Sequence, residues 1–370
     1  MTGALDGVVV ADFSRVLAGP YATMLLADMG AEVIKIERPD VGDDTRQWGP
    51  PYDSSHTATY FTSVNRNKTS VSVDLGTPEG VEVAQGIVAR ADVLIENFRS
   101  GTMEKFGLGY DDLREQHPGL VYCSITGFGT DAGAGLPGYD LLLQAMGGLM
   151  SITGPDSSTP TKVGVAVVDV ITGLHASTGI LAALRHRDRT GEGQRVHIAL
   201  LTALLSALSN QAAAYLGADA QPVAMGNRHP SVVPYETFPT ADRPIALAVG
   251  TNRQFASLAE VLGHPDWADD PRYVSNEARV GHRDELIASI TEALASAGAA
   301  EWTGRLSAVG VPAGPVNSLA EAFQTARDLG LDPEAVIPGS SARTVRNPID
   351  LSATPVTYRT GPPELGEHGP

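Results

Sequence analysis

Cysteine is almost missing from this chain. Its single copy, Cys123, excludes an intrachain disulfide and fits a reducing compartment, so the expected location is cytoplasmic. Lysine is nearly as scarce: Lys35, Lys68, Lys105 and Lys162 are all there is among 26 basic residues, against 43 acidic ones. The resulting formal charge of −17 argues against general nucleic-acid binding and against docking on anionic membranes. A polyanionic ligand must therefore find a local basic patch. The opening "MTGALDGVVVADF" has no basic segment ahead of an apolar one, and no signal peptide is expected. Phosphate-loop and G-x-S-x-G nucleophile motifs are lacking, and the nine histidines show no metal-ligand spacing. Residues Ile198 to Ala218 carry no charge, but Ser206, Ser209, Asn210 and Gln211 interrupt them, which favours a buried or interface helix over a membrane span.

With 370 residues, 42% of them hydrophobic, the chain can build a large core and more than one domain. Its first half alternates β-branched runs ("GVVVADF", "AEVIKIE", "TSVSVDL", "DVLIENF", "LVYCSITGF", "RVHIAL") with helical ones, and Thr77–Pro78 makes a strong helix start. That alternation predicts an α/β fold: a Rossmann-like large domain with a parallel sheet over residues 1–200. A linker is expected at 201–224, a smaller α+β domain at 225–330, and a second linker with a returning tail at 331–370. "GAGLPG", Gly133 to Gly138, fits a dinucleotide fingerprint with Asp156 downstream. However, Pro137 falls where a helix should begin, so the match is weak.

Chemistry concentrates in "VGVAVVDVITGLHASTGILAAL", Val163 to Leu184, where one acid, Asp169, stands in an otherwise apolar run. An ionised carboxylate is costly to bury, and unpaired ones cluster at reactive sites. The plainer reading makes Asp169 the N-cap of a helix over 171–184, a position that also stabilises a carboxylate. His175, six residues on, reads as a core histidine. A basic cluster of Lys35, Arg38, Arg46, Arg66, Lys68, Arg99 and Lys105 is unusual in so acidic a chain.

These features gain meaning from their surroundings. The segment "DFSRVLAGPYATMLLADMGAEVIKIERPDVGDDTR" resembles the opening of the class III CoA-transferases, which include the formyl-CoA and carnitine CoA-transferases. The likeness continues in order through "YFTSVNRNKTSVSVDL", "ADVLIENFRSGTMEKFGL", "SITGFG", "GYDLLLQAMGGLM", the Asp169 segment with "TGEGQRVHIALL", "VPAGPVNS", "NPIDLSATP" and "PPELGEH". It spans nearly the whole chain.

The resemblance implies that Asp169 is a covalent nucleophile, with Tyr139 and Asp140 orienting substrate or protecting the thioester. It implies that Val16, Arg38, Asn97, Phe98 and Lys105 contact CoA, with Arg99, Arg46 and Lys68 as weaker candidates. The implied partners are an acyl-CoA and a carboxylic acid acceptor, with no tightly bound cofactor, and the implied assembly is an interlocked homodimer. A rival on the same fold, the α-methylacyl-CoA racemases, pairs the aspartate with a histidine in a "GHD" motif. Here the segment reads "GYD", and these racemases tend to carry an acid where Asn252 stands. A tyrosine is a poor base near neutral pH. A non-catalytic CoA-binding homologue would need Asp169 to be a cap only. "GNRHPSVVPY" replaces the glycine run of formyl-CoA transferases, and Leu17 replaces a polar residue, which disfavours oxalate and formyl-CoA. Arg228 and His229 in that loop are candidates to meet an acceptor carboxylate.

Overall fold

The computed structural model describes residues 3–338 and 343–369. Its elements, in order, begin with β1 (Val9–Asp12), α1 (Ala18–Asp28), β2 (Glu32–Glu37), α2 (Thr59–Thr62) and β3 (Lys68–Ser72). They continue with α3 (Pro78–Ala89), β4 (Val93–Glu96), α4 (Tyr110–Leu113), β5 (Val121–Thr126), α5 (Asp140–Met146) and α6 (Val167–Thr190). Strand β6 (Arg195–Ala199) and helices α7 (Leu200–Ala207) and α8 (Ser209–Ala218) complete this half. The six strands form one parallel sheet in the order β3-β2-β1-β4-β5-β6. That is the doubly wound Rossmann order, so the expected fold class is what the chain adopts.

Helices cover both faces. On one side Val10, Val93, Ile95, Val121 and Cys123 pack with Ala22 and Leu26 of α1 and Ala176, Ile180 and Leu184 of α6. On the other, Ala11, Ile34, Leu94 and Val71 meet Ala84, Ile87 and Val88 of α3. Helix α6 is long and apolar enough to cross a bilayer by length and composition, yet half of its most apolar window is buried within the protein. Its approach to α1 needs Gly173, where a Cβ would stand 2.7 Å from the carbonyl oxygen of Ala18.

The chain divides into two compact units, one of Met1–Met150, Lys162–Pro222 and Asp332–Pro370, the other of Ser151–Thr161 and Val223–Leu331. Residues 201–224, assigned as a linker, carry α7 and α8 over most of their length, in line with the helix expected from Ile198 to Ala218. Within it α7 folds onto the first core through Leu200, Ala203 and Leu204, while α8 has no buried residue. The short stretch Ser151–Thr161, expected in the large domain, packs with the second unit.

The second unit holds an antiparallel sheet of β7 (Tyr235–Phe238), β8 (Ile245–Ala248) and β9 (Ala313–Pro315). Its helices are α9 (Asn252–Val261), α10 (Asn276–Gly281), α11 (Arg283–Leu294), α12 (Ala299–Ala308) and α13 (Leu319–Asp328). Phe238, Leu247, Phe255, Trp267 and Trp302 centre its core.

Back in the first unit, β10 (Glu334–Val336) pairs antiparallel with β11 (Arg343–Val345). The tail then lies along the sheet. Thr357 N–H donates to the Asp28 carbonyl at 2.9 Å, and Asn67 N–H to the Thr360 carbonyl at 3.0 Å. His368 N–H reaches the Ser70 carbonyl on edge strand β3 at 3.0 Å.

Candidate active site

Strand order reverses between β1 and β4, and in a doubly wound sheet that point leaves a crevice beyond the strands' C-terminal ends. The cavity lies there, about 200 Å3, walled by Arg15 to Ala18 after β1, Asn97 to Ser100 after β4 and the stretch after β5. Val16, Asn97, Phe98, Arg99, Tyr139 and Asp169, all singled out from the sequence, line it together.

The two loops are tied to each other. Asn97 Oδ1 accepts from Arg15 N–H at 2.8 Å while its Nδ2 donates to the Arg15 carbonyl at 2.7 Å. The Arg15 guanidinium lies 4.9 Å from the centre of the Phe98 ring and 3.3 Å from Asp44. Val16 sits at φ +69, a costly conformation for a β-branched residue, and its N–H is held by both carboxylate oxygens of Asp43 at 3.3 Å. Gly127 and Gly138 explain the glycine-rich stretch after β5. A Cβ on Gly127 would lie 2.6 Å from the Gly138 Cα, so two backbones cross in contact beside the cavity. Strand β5 ends at Thr126 and α5 begins only at Asp140, so "GAGLPG" does not form the tight strand-to-helix turn of a dinucleotide fingerprint, and that reading has no structural counterpart.

Asp169 differs from its expected place. Helix α6 starts at Val167 after Ala166, so the acid is in the first turn rather than at the cap. Asp140 performs the capping instead: its Oδ1 accepts the Val168 N–H at 2.8 Å and the Asp169 N–H at 3.4 Å. Those donors are spent, which removes them as partners for an oxyanion and for the Asp169 side chain. Asp169 is 8% exposed, and its carboxylate has no hydrogen-bond or ion-pair partner among the described residues. Burial, then the nearby Asp140 charge, pushes its pKa up from 3.8 to about 7. Asp140 itself does not line the cavity.

The basic cluster separates into two groups. Lys68 pairs with Asp12 at 3.2 Å and Lys35 with Asp43 at 2.9 Å, all four side chains inaccessible to solvent. Desolvation brings Lys68 down to about 8 despite Asp12. Arg46 forks onto Glu37 at 2.7 and 2.8 Å over the Phe61 ring, and Arg66 binds Asp28. Lys68 and Arg46, weaker CoA candidates from sequence, are therefore committed to the interior and drop out. Arg38, Arg99 and Lys105 remain exposed. Arg38 pairs with the cavity residue Asp44, and neither Arg38 nor Lys105 lines the cavity wall. His175, expected in the core, is exposed on α6.

Two residues escaped the sequence reading. Tyr60, like Val16, Ala166 and Val170, packs against the buried cluster of Leu17, Met24 and Val64, and burial together with Asp169, Asp140 and Asp43 raises its phenol to about 12. Glu96 ends β4, accepts the Phe98 N–H at 2.9 Å, and is pushed by burial to about 7. An acid closing the apolar run "DVLI" was the available signal for Glu96; Tyr60 offered none.

The model of the family described as "CoA-transferase family III" matches residues 5–369. The chain belongs to CoA-transferase family III. It is 47% identical to a succinate–glutarate CoA-transferase of Agrobacterium fabrum, covering 98% of this chain and 93% of that protein. It is 40% identical to the human succinyl-CoA:glutarate CoA-transferase over 98% of this chain and 84% of the relative. Among solved structures, a CaiB/BaiF family protein from Brucella suis superimposes with a TM-score of 0.88 at 40% identity, covering 100% of this chain and 98% of that one. As a member of family III the protein is a transferase. It moves CoA between an acyl-CoA thioester and a carboxylic acid.

Proposed function

We propose that Asp169 carries the CoA as a covalent intermediate and that the acids exchanged are short dicarboxylates. The observation that carries the first part is a buried, unpartnered carboxylate opening on the crevice between the β1 and β4 loops. Asp169 attacks the thioester carbonyl to give a mixed anhydride and free CoA thiolate. The thiolate then attacks Asp169 Cγ, releasing the first acid and leaving an aspartyl-CoA thioester that conserves the activated bond. The acceptor acid reverses the sequence. Enclosure limits hydrolysis of both intermediates.

In this reading Val16, Asn97 and Phe98 hold the body of CoA, while Arg38, Arg99 and Lys105 answer its phosphates. Tyr139, 62% exposed at the cavity rim, shields the thioester. Asp140 fixes the start of α6. Dicarboxylate acceptors are supported by the names of the relatives, among them a succinyl-CoA:mesaconate CoA-transferase of Haloarcula hispanica that is 40% identical over 99% of this chain and 94% of that protein. The lone buried cysteine supports a cytoplasmic location.

The working form is proposed to be an interlocked homodimer. Leu141 and Met146 of α5, Leu174 and Leu181 of α6, Leu205 of α7 and Tyr215 and Leu216 of α8 all stand exposed, apolar side chains on four successive helices that a second copy would cover. Sedimentation of the native protein at dimer mass, lost on Leu181→Arg with Leu216→Asp, is the expected result; a monomeric native protein overturns it.

Intact-protein mass spectrometry after incubation with succinyl-CoA and glutaryl-CoA tests the chemistry. A hydroxylamine-sensitive CoA adduct on Asp169, absent from Asp169→Asn, is expected. Solvent deuterium entering an α carbon without any adduct overturns the transferase mechanism in favour of proton transfer.

A further inference from the structure

The beginning of α6 presents an unusual arrangement of charge. Ala166 occupies the cap position and has no side-chain acceptor to offer. Asp140 supplies one from α5, accepting from Val168 N–H at 2.8 Å and Asp169 N–H at 3.4 Å. Its second oxygen accepts from Gln144 Nε2 at 2.6 Å, and Gln144, fully buried, takes the Val163 N–H on Oε1 at 2.8 Å. Asp140 is thus held from two sides, by the first turn of α6 on one oxygen and by Gln144 on the other, which keeps it beside Asp169. An acid in the first turn of a helix ordinarily gains from the free N–H groups there. Here that benefit goes to Asp140, and Asp169 receives a like charge in its place.

The other ionisable groups facing this region are Tyr60 from α2, Tyr139 from the segment before α5, and Arg15, Asp44 and Arg99 on the cavity wall. Among the described residues none of them pairs with the Asp169 carboxylate.

We propose that Asp140 is a positioning residue that drives formation of the covalent intermediates, by making the bare Asp169 carboxylate the least favourable state of that side chain. The inference rests on Asp169 being the nucleophile and adds what sets its reactivity. When Asp169 Oδ attacks the thioester, the C–O bond forms, the C–S bond breaks and the negative charge leaves on CoA sulfur. When that sulfur attacks Asp169 Cγ, the Cγ–S bond forms, the bond from Cγ to the anhydride oxygen breaks, and the charge leaves on the departing carboxylate. Residue 169 is neutral in both covalent states. Repulsion from Asp140 is released on entering them and restored when the free carboxylate is regenerated. Protonation neutralises the same group, so Asp140 must raise the proton affinity of Asp169 and its adduct equilibrium by the same factor.

Asp140→Asn in the full-length protein tests this, together with Asp140→Asn/Gln144→Glu. The double variant keeps a donor facing an acceptor and moves the charge one helical turn away from the nucleophile. Two quantities are read on protein shown by circular dichroism to be folded. One is the acid limb of kcat/KM. The other is the ratio of hydroxylamine-sensitive CoA adduct to free enzyme at fixed acyl-CoA and free acid, taken at a pH where Asp169 is fully ionised.

In both variants the limb is expected to move down by about one pH unit and the adduct ratio to fall about tenfold, the two changes matching. A merely structural role would lower rates without linking them. An unchanged limb or an unchanged adduct ratio in the folded variants overturns the proposal. A wild-type protein that forms no adduct at all overturns the nucleophile assignment beneath it, a distinct result.

Discussion

Replacing Asp169 by asparagine should abolish transfer and at the same time make the protein harder to unfold. The folded carboxyl titrates near 7 against an ordinary value of 3.8, because burial and then Asp140 disfavour its ionised form. Between those two values the native state keeps a proton that the unfolded chain has already lost. Stability attributable to this group therefore falls as pH rises through that window, and the full penalty applies above it. At 1.36 kcal/mol per pKa unit the penalty is on the order of 4 kcal/mol. An amide also costs something to bury, so a realised gain of about 2–3 kcal/mol is expected. Urea unfolding of both proteins at pH 8 and at pH 4.5 is the assay, read alongside CoA transfer. The variant should be the more stable at pH 8, and the advantage should shrink towards pH 4.5. A variant no more stable than the parent at pH 8, or one that still transfers CoA at the parent rate, would refute the assignment of a destabilised, reactive carboxylate.

Three further outcomes follow from the site. Attack needs an ionised Asp169, so kcat/KM should fall about tenfold per pH unit below a limb near 7; a profile flat to pH 5 would contradict it. Asn97→Ala removes both side-chain hydrogen bonds to Arg15 and should raise KM for acyl-CoA about tenfold, with a smaller change in kcat, in steady-state kinetics. Lys68→Met leaves Asp12 without its 3.2 Å partner in the interior and should cost about 3–5 kcal/mol in denaturant unfolding; an unchanged midpoint would show that the pair is dispensable.

Much of the large unit could be read from sequence because its signals are local. Alternating β-branched and helical runs specify parallel strands, and Thr77 and Pro78 announce the start of α3, where the Thr77 side chain accepts the Gly80 N–H. Asp169 stood out because an acid in an apolar run is costly wherever it lands. The rest depended on partners distant in sequence. The cap of α6 comes from Asp140, so no pattern around Ala166 could reveal it. The basic residues look alike as letters, yet Lys35 and Lys68 point into the interior from β2 and β3 while Arg38, just past β2, emerges into solvent. The uncharged run after β6 reads as one buried or interface helix; it folds as two, α7 with one buried face and α8 with no buried residue, a division that its letters do not mark.

Gly366 and His368, which bond to Ser70 along the open edge of β3, follow that strand only after the whole of the second unit. On a ribosome this order has a kinetic meaning. The second unit, apart from Ser151–Thr161, is contiguous from Val223 to Leu331 and is fully synthesised while the parallel sheet still lacks its seal. The nascent enzyme therefore emerges with an unpaired strand edge that stays open to other chains until Gly366 and His368 have emerged. Stalled chains ending at Gly361 should be cleaved by protease near β3 far faster than the released protein; equal resistance would show that the edge is protected without its tail.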